Sequence, residues 1–298
     1  GEPRAAAGIG DLLYDGWSAS NNWAVAGTLT ASGKPVLSSD PHLPHMNPPL
    51  VWGVEIETSD SHVAGFVLPG LGRVVFGHNG HVAWSATTNH VDRQDLVVLR
   101  PRTEQRDGKT VEGYEFDGEL VPFELRTESF AVNGGESVEM TARFTRDGPL
   151  LNDIDSVVRG RIPLTALRRA EIVRGADLDG AHAMSVARNL DELAAGLNDL
   201  DLGCSSWVAA DAAGSIAYRS PCVVPVREGF SGAFPIPGWL SRYEWRGYYE
   251  KGALPAATDP ARGWLATANN QIVPSDRFPS TYNADVSAPN RYQRIEAR

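Results

Sequence analysis

Ser20-Asn21-Asn22-Trp23-Ala24-Val25 stands where a loose spacer gives way to the first strand-forming run of the chain. Upstream, residues 1–19 carry Gly, Ala and Pro around a brief Leu12-Leu13-Tyr14 patch, the composition of a linker rather than of a packed element. A boundary therefore falls near Ser20. Downstream, short β-rich runs recur at Trp23 to Leu29, Pro35 to Leu37, Val51 to Glu57, Val63 to Leu68, Val74 to Phe76 and His81 to Trp84. Gly, Pro and Asn separate them, which is the pattern of stacked sheets.

Residues 95–150 continue as alternating strands, with Phe123 to Arg126 and Val138 to Phe144 as examples and Asp117-Gly118 and Gly134-Gly135 as turns. They read as a β-rich meander inserted in the chain. Apolar residues recur at three- and four-residue spacing only near Leu164 to Val173 and Met184 to Leu197, so helices are expected there and are a minority. Ser205 to Asp211 and Ser215 to Arg219 flank Ala212-Ala213-Gly214, a hairpin that sets Cys204 nearly opposite Cys222. A disulfide and two buried free thiols are both compatible with that placement.

The bulk composition excludes several classes. At 298 residues and 42% apolar the chain can bury a large core, as one big domain or two smaller ones. A net charge of −10, with no basic segment, argues against a phosphate-tracking nucleic-acid surface. No run approaches the roughly 20 apolar residues of a membrane-spanning helix. The sequence opens at Gly1 without Met, and is read as a processed or excised piece.

Four blocks in fixed order carry a resemblance. Ser20 to Val25 and Asp40-Pro41-His42-Leu43, the latter read as lying after the second strand, together form the first block. Phe76-Gly77-His78-Asn79-Gly80 follows with Ala83-Trp84, then Ala266-Thr267-Ala268-Asn269-Asn270, then Pro289-Asn290-Arg291-Tyr292-Gln293-Arg294-Ile295. Together they resemble the penicillin acylase family of N-terminal nucleophile hydrolases, from about Gly16 to the C-terminus. The resemblance implies an α+β, four-layer αββα core with the β-rich insertion at about 95–150. Residues 20–298 would be the first part of a catalytic chain, released by a cut after Ala19. A preceding acylase chain and the remainder of the catalytic chain would be its partners, and a periplasmic or extracellular setting its location.

The implied chemistry suits the residue types. A Ser hydroxyl is a weak nucleophile until a base sits within hydrogen-bond reach. A liberated α-amino group on Ser20, with an ordinary pKa of about 7.7–8.0, is such a base, whereas the amide of an uncut chain is not. By resemblance, the Asn269 side chain and the backbone N–H of Thr88 donate to the oxyanion, Arg291 orients Asn269, and His42 orients groups near the nucleophile. Leu43, Phe76 and Ala86 fall where the family lines its acyl pocket, implying an apolar acyl group.

No organic cofactor is required. Asp92-Arg93-Gln94-Asp95 is similar to the acidic segment through which some members bind calcium, which would make Asp92 and Asp95 ligands; the residues themselves read as a solvated acidic turn. His42-x-x-His45 lacks a third ligand for zinc, and Arg294 is read as a solvated charge. The expected reaction is hydrolysis of a small amide, such as a β-lactam antibiotic, an N-acyl-homoserine lactone or a lipopeptide, through an acyl-enzyme. A catalytically silent scaffold or binding module is the rival reading.

Overall fold

The computed structural model describes residues 19–59, 61–170, 177–200, 204–273 and 288–298. The spacer expected at 1–19 lies outside them except for Ala19. Strands β1 (Ala19–Val25), β2 (Val36–His42), β3 (Trp52–Glu57), β4 (His62–Val67), β5 (Val74–His78) and β6 (Val82–Thr88) come first. Then follow β7 (Gln94–Val98), β8 (Pro101–Arg106), β9 (Lys109–Phe116), β10 (Glu119–Pro122), β11 (Glu124–Phe130), β12 (Val138–Thr145) and β13 (Gly148–Pro149). A short helix α1 (Leu151–Ile154) leads to β14 (Thr165–Arg169) and to helices α2 (Asp177–Val186) and α3 (Leu190–Asn198). The chain continues through β15 (Ser205–Asp211), β16 (Ile216–Arg219), β17 (Ile236–Pro237), β18 (Ala256–Thr258), β19 (Trp264–Thr267) and helix α4 (Asn290–Glu296).

Two sheets form the centre: β19-β1-β2, and a seven-stranded sheet in the order β18-β16-β15-β6-β5-β4-β3. Strand alternation sorts their side chains into two cores, because successive residues point to opposite faces. Ala24, Val208, Ala210, Ile216, Tyr218 and Leu265 pack between the sheets. Trp84, Ala86, Trp207 and Ala209 face the other way, where Met184, Leu190, Leu193 and Leu197 of the α2–α3 pair cover them. Helix α4 contacts β1 and β19 on the outer side of the smaller sheet. The layers thus run helix, sheet, sheet, helix, which is the expected αββα order.

The region expected as a β-rich insertion holds two three-stranded sheets, β10-β9-β8 and β11-β12-β13. Phe116 pairs with Glu119 around the Asp117-Gly118 turn, as expected. The Ser205–Asp211 hairpin also forms, and Cys204 and Cys222 at its base are joined as a disulfide with their Cα atoms 4.8 Å apart.

Three expectations about elements need correction. The stretch near Leu164 to Val173 is not helical where it is described: Thr165–Arg169 is a strand antiparallel to β7. Its Arg168 is held by Asp147 and Glu244, a long-range anchoring that three-residue spacing cannot reveal. Residues 171–173 lie outside the described segments. The helix expected over Met184 to Leu197 is two helices. Asn189 adopts an extended backbone and its side chain accepts from the Glu192 N–H at 2.9 Å, which starts a new helix. Asp40-Pro41-His42 lies inside β2 rather than after it, and β1 already includes Ala19.

The two helices cross at glycines. A Cβ on Gly180 would sit 2.7 Å from the Gly196 carbonyl oxygen, and one on Gly196 would sit 2.9 Å from both the Gly180 oxygen and the Met184 nitrogen. Backbone contacts this close leave no room for a methyl group. Gly180→Ala is therefore expected to force the pair apart and destabilise the protein by about 1–3 kcal/mol, read as a lower urea midpoint. A second test concerns Tyr218, whose phenol burial pushes up to about 12 from its ordinary 10.0. The neutral form is favoured by the fold, so its contribution is complete below pH 10 and is lost as the pH rises towards 12. Wild type should lose stability across that window by on the order of 2 kcal/mol more than Tyr218→Phe, measured by chemical unfolding at each pH.

Candidate active site

Ser20 lies on β1 with its side chain towards the larger sheet, 8% exposed. Its neighbours are set by register. Asn22 pairs with Thr267 across β1 and β19, so continuing the antiparallel ladder brings Asn269 opposite Ser20. Asn269 has φ 60°, the left-handed region that Asn tolerates better than most residues, and this follows directly on the end of β19. The Ser20 N–H donates to Asn269 Oδ1 at 2.7 Å. In turn Asn269 Nδ2 donates to the Thr88 carbonyl at 2.8 Å, at the exposed C-terminal end of β6.

Arg291, at the start of α4, closes the arrangement. Its Nη2 donates to Asn269 Oδ1 at 3.0 Å, and its Nη1 donates to the Ser20 carbonyl at 2.6 Å and to Asn21 Oδ1 at 2.8 Å. Desolvation draws the guanidinium pKa down, opposed by the charge of Asp40. The Ser20 hydroxyl donates to the Ala19 carbonyl at 2.6 Å, which sets Oγ beside the Ala19–Ser20 peptide.

His42 is opposite Ala19 in the β1–β2 ladder. Its Nε2 donates to Asp40 Oδ2 at 2.7 Å, and Asn21 Nδ2 donates to the same oxygen at 3.1 Å. Those two bonds, with the hydrogen bond from His42 the stronger influence, hold the Asp40 carboxyl below its usual range. Asn21 and Asp40 were not singled out by sequence reasoning. The signal was present in principle, since a β1–β2 hairpin in the observed register pairs them directly.

Behind Ser20 the two sheets meet through hydroxyls and amides. Ser39 Oγ bonds Ser85 Oγ, Thr87 Oγ1 bonds Thr267 Oγ1 at 2.9 Å, and Thr267 Oγ1 donates to Asn22 Oδ1. The Asn79 of the second block has a structural task. Its Oδ1 accepts from the His81 and Val82 N–H groups, while Nδ2 donates to the Ser185 and Ala187 carbonyls, tying the β5–β6 turn to the end of α2.

The pocket residues stand apart from this cluster. Ala86 is 5% exposed in the core between sheet and helices, and Phe76 borders the same core with its ring 6.2 Å from that of Trp207. Both lie on the face of the larger sheet away from the one Ser20 looks at. Leu43 is half-buried just beyond β2.

Asp92 and Asp95 do not form a solvated acidic turn. Asp95 is 1% exposed, and both of its oxygens accept from Arg227 Nε at 3.1 Å; Trp245 Nε1 adds a bond of 2.6 Å. Arg227 Nη2 also lies 3.5 Å from Asp92 Oδ1, so a guanidinium holds the place between the carboxylates that a cation would need. The donor set therefore does not fit calcium. Among the described residues no group of three or more His, Cys, Asp or Glu could hold a metal ion.

The chain is similar to known proteins along most of its length. The penicillin amidase family model matches residues 3–298. The acyl-homoserine lactone acylase QuiP of Pseudomonas fluorescens (strain Pf0-1) is 34% identical over 280 residues, which is 94% of this chain and 34% of that protein. The penicillin acylase 2 proenzyme of Pseudomonas sp. (strain SE83) is 33% identical over 291 residues, 97% of this chain and 36% of that protein. The chain thus spans about a third of the length of these relatives. Among solved structures, thermostable penicillin G acylase from Alcaligenes faecalis superposes with a TM-score of 0.72 at 25% identity, over 85% of this chain and 44% of that one. With a family model matched along nearly its whole length, the chain belongs to the penicillin amidase family.

Proposed function

We propose that this chain supplies the nucleophile half of a self-processing acylase, in which Ser20 becomes N-terminal by scission after Ala19 and then cleaves an amide through an acyl-enzyme. The observation that carries this reading is the 2.7 Å contact between the Ser20 nitrogen and Asn269 Oδ1, with Arg291 and Thr88 bonded to the same amide. That contact fixes the nitrogen that would serve as base, and brings the side-chain amide beside the nucleophile.

In the first stage, Ser20 Oγ adds to the Ala19 carbonyl carbon, and the C–N bond breaks to leave an ester on Oγ and a free amine on Ser20. Water then releases the upstream segment. In turnover, the α-amino group takes the Oγ proton as Oγ adds to the substrate carbonyl. The oxyanion is met by the Asn269 Nδ2 hydrogen not given to the Thr88 carbonyl, and by the Thr88 N–H. Collapse expels the amine with a proton returned from the α-amino group, and water repeats the addition to free the acid.

The relatives carry names of acyl-homoserine lactone and penicillin acylases, which supports an amide as substrate. A preceding chain and the rest of the catalytic chain complete the assembly in this proposal. Leu43, half-buried just beyond β2, is the apolar group offered to the acyl chain. The Cys204–Cys222 disulfide favours an oxidising periplasmic or extracellular setting. No organic cofactor is invoked.

Ser20→Ala in the complete protein should abolish both scission at the Ala19–Ser20 bond, seen by intact mass, and amide turnover. Continued scission at that bond in the variant refutes the assignment. Asn269→Ala should lower kcat by about 10²–10³ with a much smaller change in KM. An unaltered kcat removes Asn269 from the mechanism.

A further inference from the structure

The polar chain at the mouth of the site does not end at Arg291. One guanidinium nitrogen of Arg291 serves Ser20 O at 2.6 Å and Asn21 Oδ1 at 2.8 Å, and the other serves Asn269 Oδ1 at 3.0 Å. Asn21 then donates to Asp40 Oδ2 at 3.1 Å, and Asp40 accepts from His42 Nε2 at 2.7 Å. We propose that Asn21 and Asp40 are positioning residues of the acylase: Asn21 sets the Arg291 guanidinium that aims Asn269, and Asp40 fixes both Asn21 and the His42 ring. The inference rests on the Ser20 reading of the preceding subsection and adds two residues to it.

Donor and acceptor chemistry makes the chain directional. Arg can only donate, so the atom of Asn21 facing it must be the carbonyl oxygen, and the amide nitrogen must face Asp40. Asp40, as a carboxylate, can only accept, so the His42 nitrogen facing it must carry the proton. The lowered carboxyl pKa of Asp40 agrees with that charge state. The 3.5 Å approach of Asn21 Nδ2 to His42 Nε2 is two donors converging on one carboxylate oxygen.

Local structure explains why these two residues meet. They are cross-strand partners in the β1–β2 ladder, Asn21 against Asp40, on the face of β1 opposite to Ser20. Cross-strand pairs stand close enough for direct side-chain contact. Asn21 is thus bound through the backbone to the nucleophile and through its side chain to the residue that aims Asn269. The Asp40–His42 pair is largely exposed, with side chains 60% and 40% accessible, so its effect on stability is small and geometry is what it controls.

The test is a reciprocal exchange in the complete protein, with scission after Ala19 followed by intact mass and turnover of a chromogenic N-acyl anilide compared with that of Ser20→Ala. Asn21→Ala and Asn21→Asp should each lower kcat by about tenfold or more while KM changes about twofold at most, the second because two carboxylates then face one another. Combining Asn21→Asp with Asp40→Asn restores an acceptor towards Arg291 and a donor–acceptor pair between the strands. It should return kcat to within about threefold of wild type, which simple loss of packing does not allow. Full kcat in both single variants at position 21, or no recovery in the exchange, overturns the proposal while an inactive Ser20→Ala leaves the underlying mechanism standing. Turnover persisting in Ser20→Ala overturns that mechanism itself, and this inference with it.

Discussion

The arrangement depends on one side-chain amide, that of Asn269, held by three groups from different parts of the chain. Its oxygen accepts from the Ser20 nitrogen and from Arg291, and its nitrogen donates to the Thr88 carbonyl. The two ends of the amide are not interchangeable here. A guanidinium and a backbone N–H have only hydrogens to offer, and a backbone carbonyl has only lone pairs, so the chemistry of the neighbours dictates which way the amide faces. Strands β1 and β6, the turn after β19 and helix α4 are thereby held to one point. At 2% exposure, reversing or removing the amide would strand buried polar groups at a cost of about 1–3 kcal/mol each.

The rest of the fold serves that point by keeping two sheets in close register. Where the sheets meet far from the site, the interface is apolar, with Ala24, Val208, Ala210 and Ile216. Towards the Ser20 end it becomes a series of paired hydroxyls and amides, from Ser39–Ser85 to Thr87–Thr267–Asn22. Apolar contacts tolerate sliding, whereas hydrogen bonds in a buried setting specify one alignment. The polar end of the interface is the end at which a fraction of an ångström matters.

Strand alternation and turn chemistry made much of this legible in advance. Asp117-Gly118 and Ala212-Ala213-Gly214 form the hairpins their residues demand. Arg291 and Asn269, paired by the resemblance, are in direct contact. Local pattern failed where a distant partner decided the outcome. Thr165–Arg169 has helix-like spacing, but pairing with β7 and the carboxylates around Arg168 make it a strand. Asp95 has the sequence context of a surface turn, yet Arg227, more than a hundred residues away in sequence, takes it into the interior. Ala86 and Phe76 were assigned to a pocket by position along the chain, and their parity on β5 and β6 turns them to the helix-covered face instead. The failures at Thr165–Arg169 and at Asp95 are of long-range pairing, which no window along the sequence contains.

The same geometry bears on why scission and turnover, in the proposed mechanism, can share one frame. With Ala19 attached, the Ser20 nitrogen is an amide whose only hydrogen goes to Asn269, and its lone pair is delocalised into the carbonyl. After scission that nitrogen still has hydrogens for Asn269 Oδ1 and gains a lone pair for the hydroxyl proton. The hydrogen bond that locates the nitrogen is thus common to both forms, and only its basicity changes. Arg291 reinforces this by gripping the Ser20 carbonyl, on the side of the residue that scission leaves intact. A nucleophile anchored through its own carbonyl and its own nitrogen stays in position while the bond before it is broken, so activation needs no rearrangement of the residues around it.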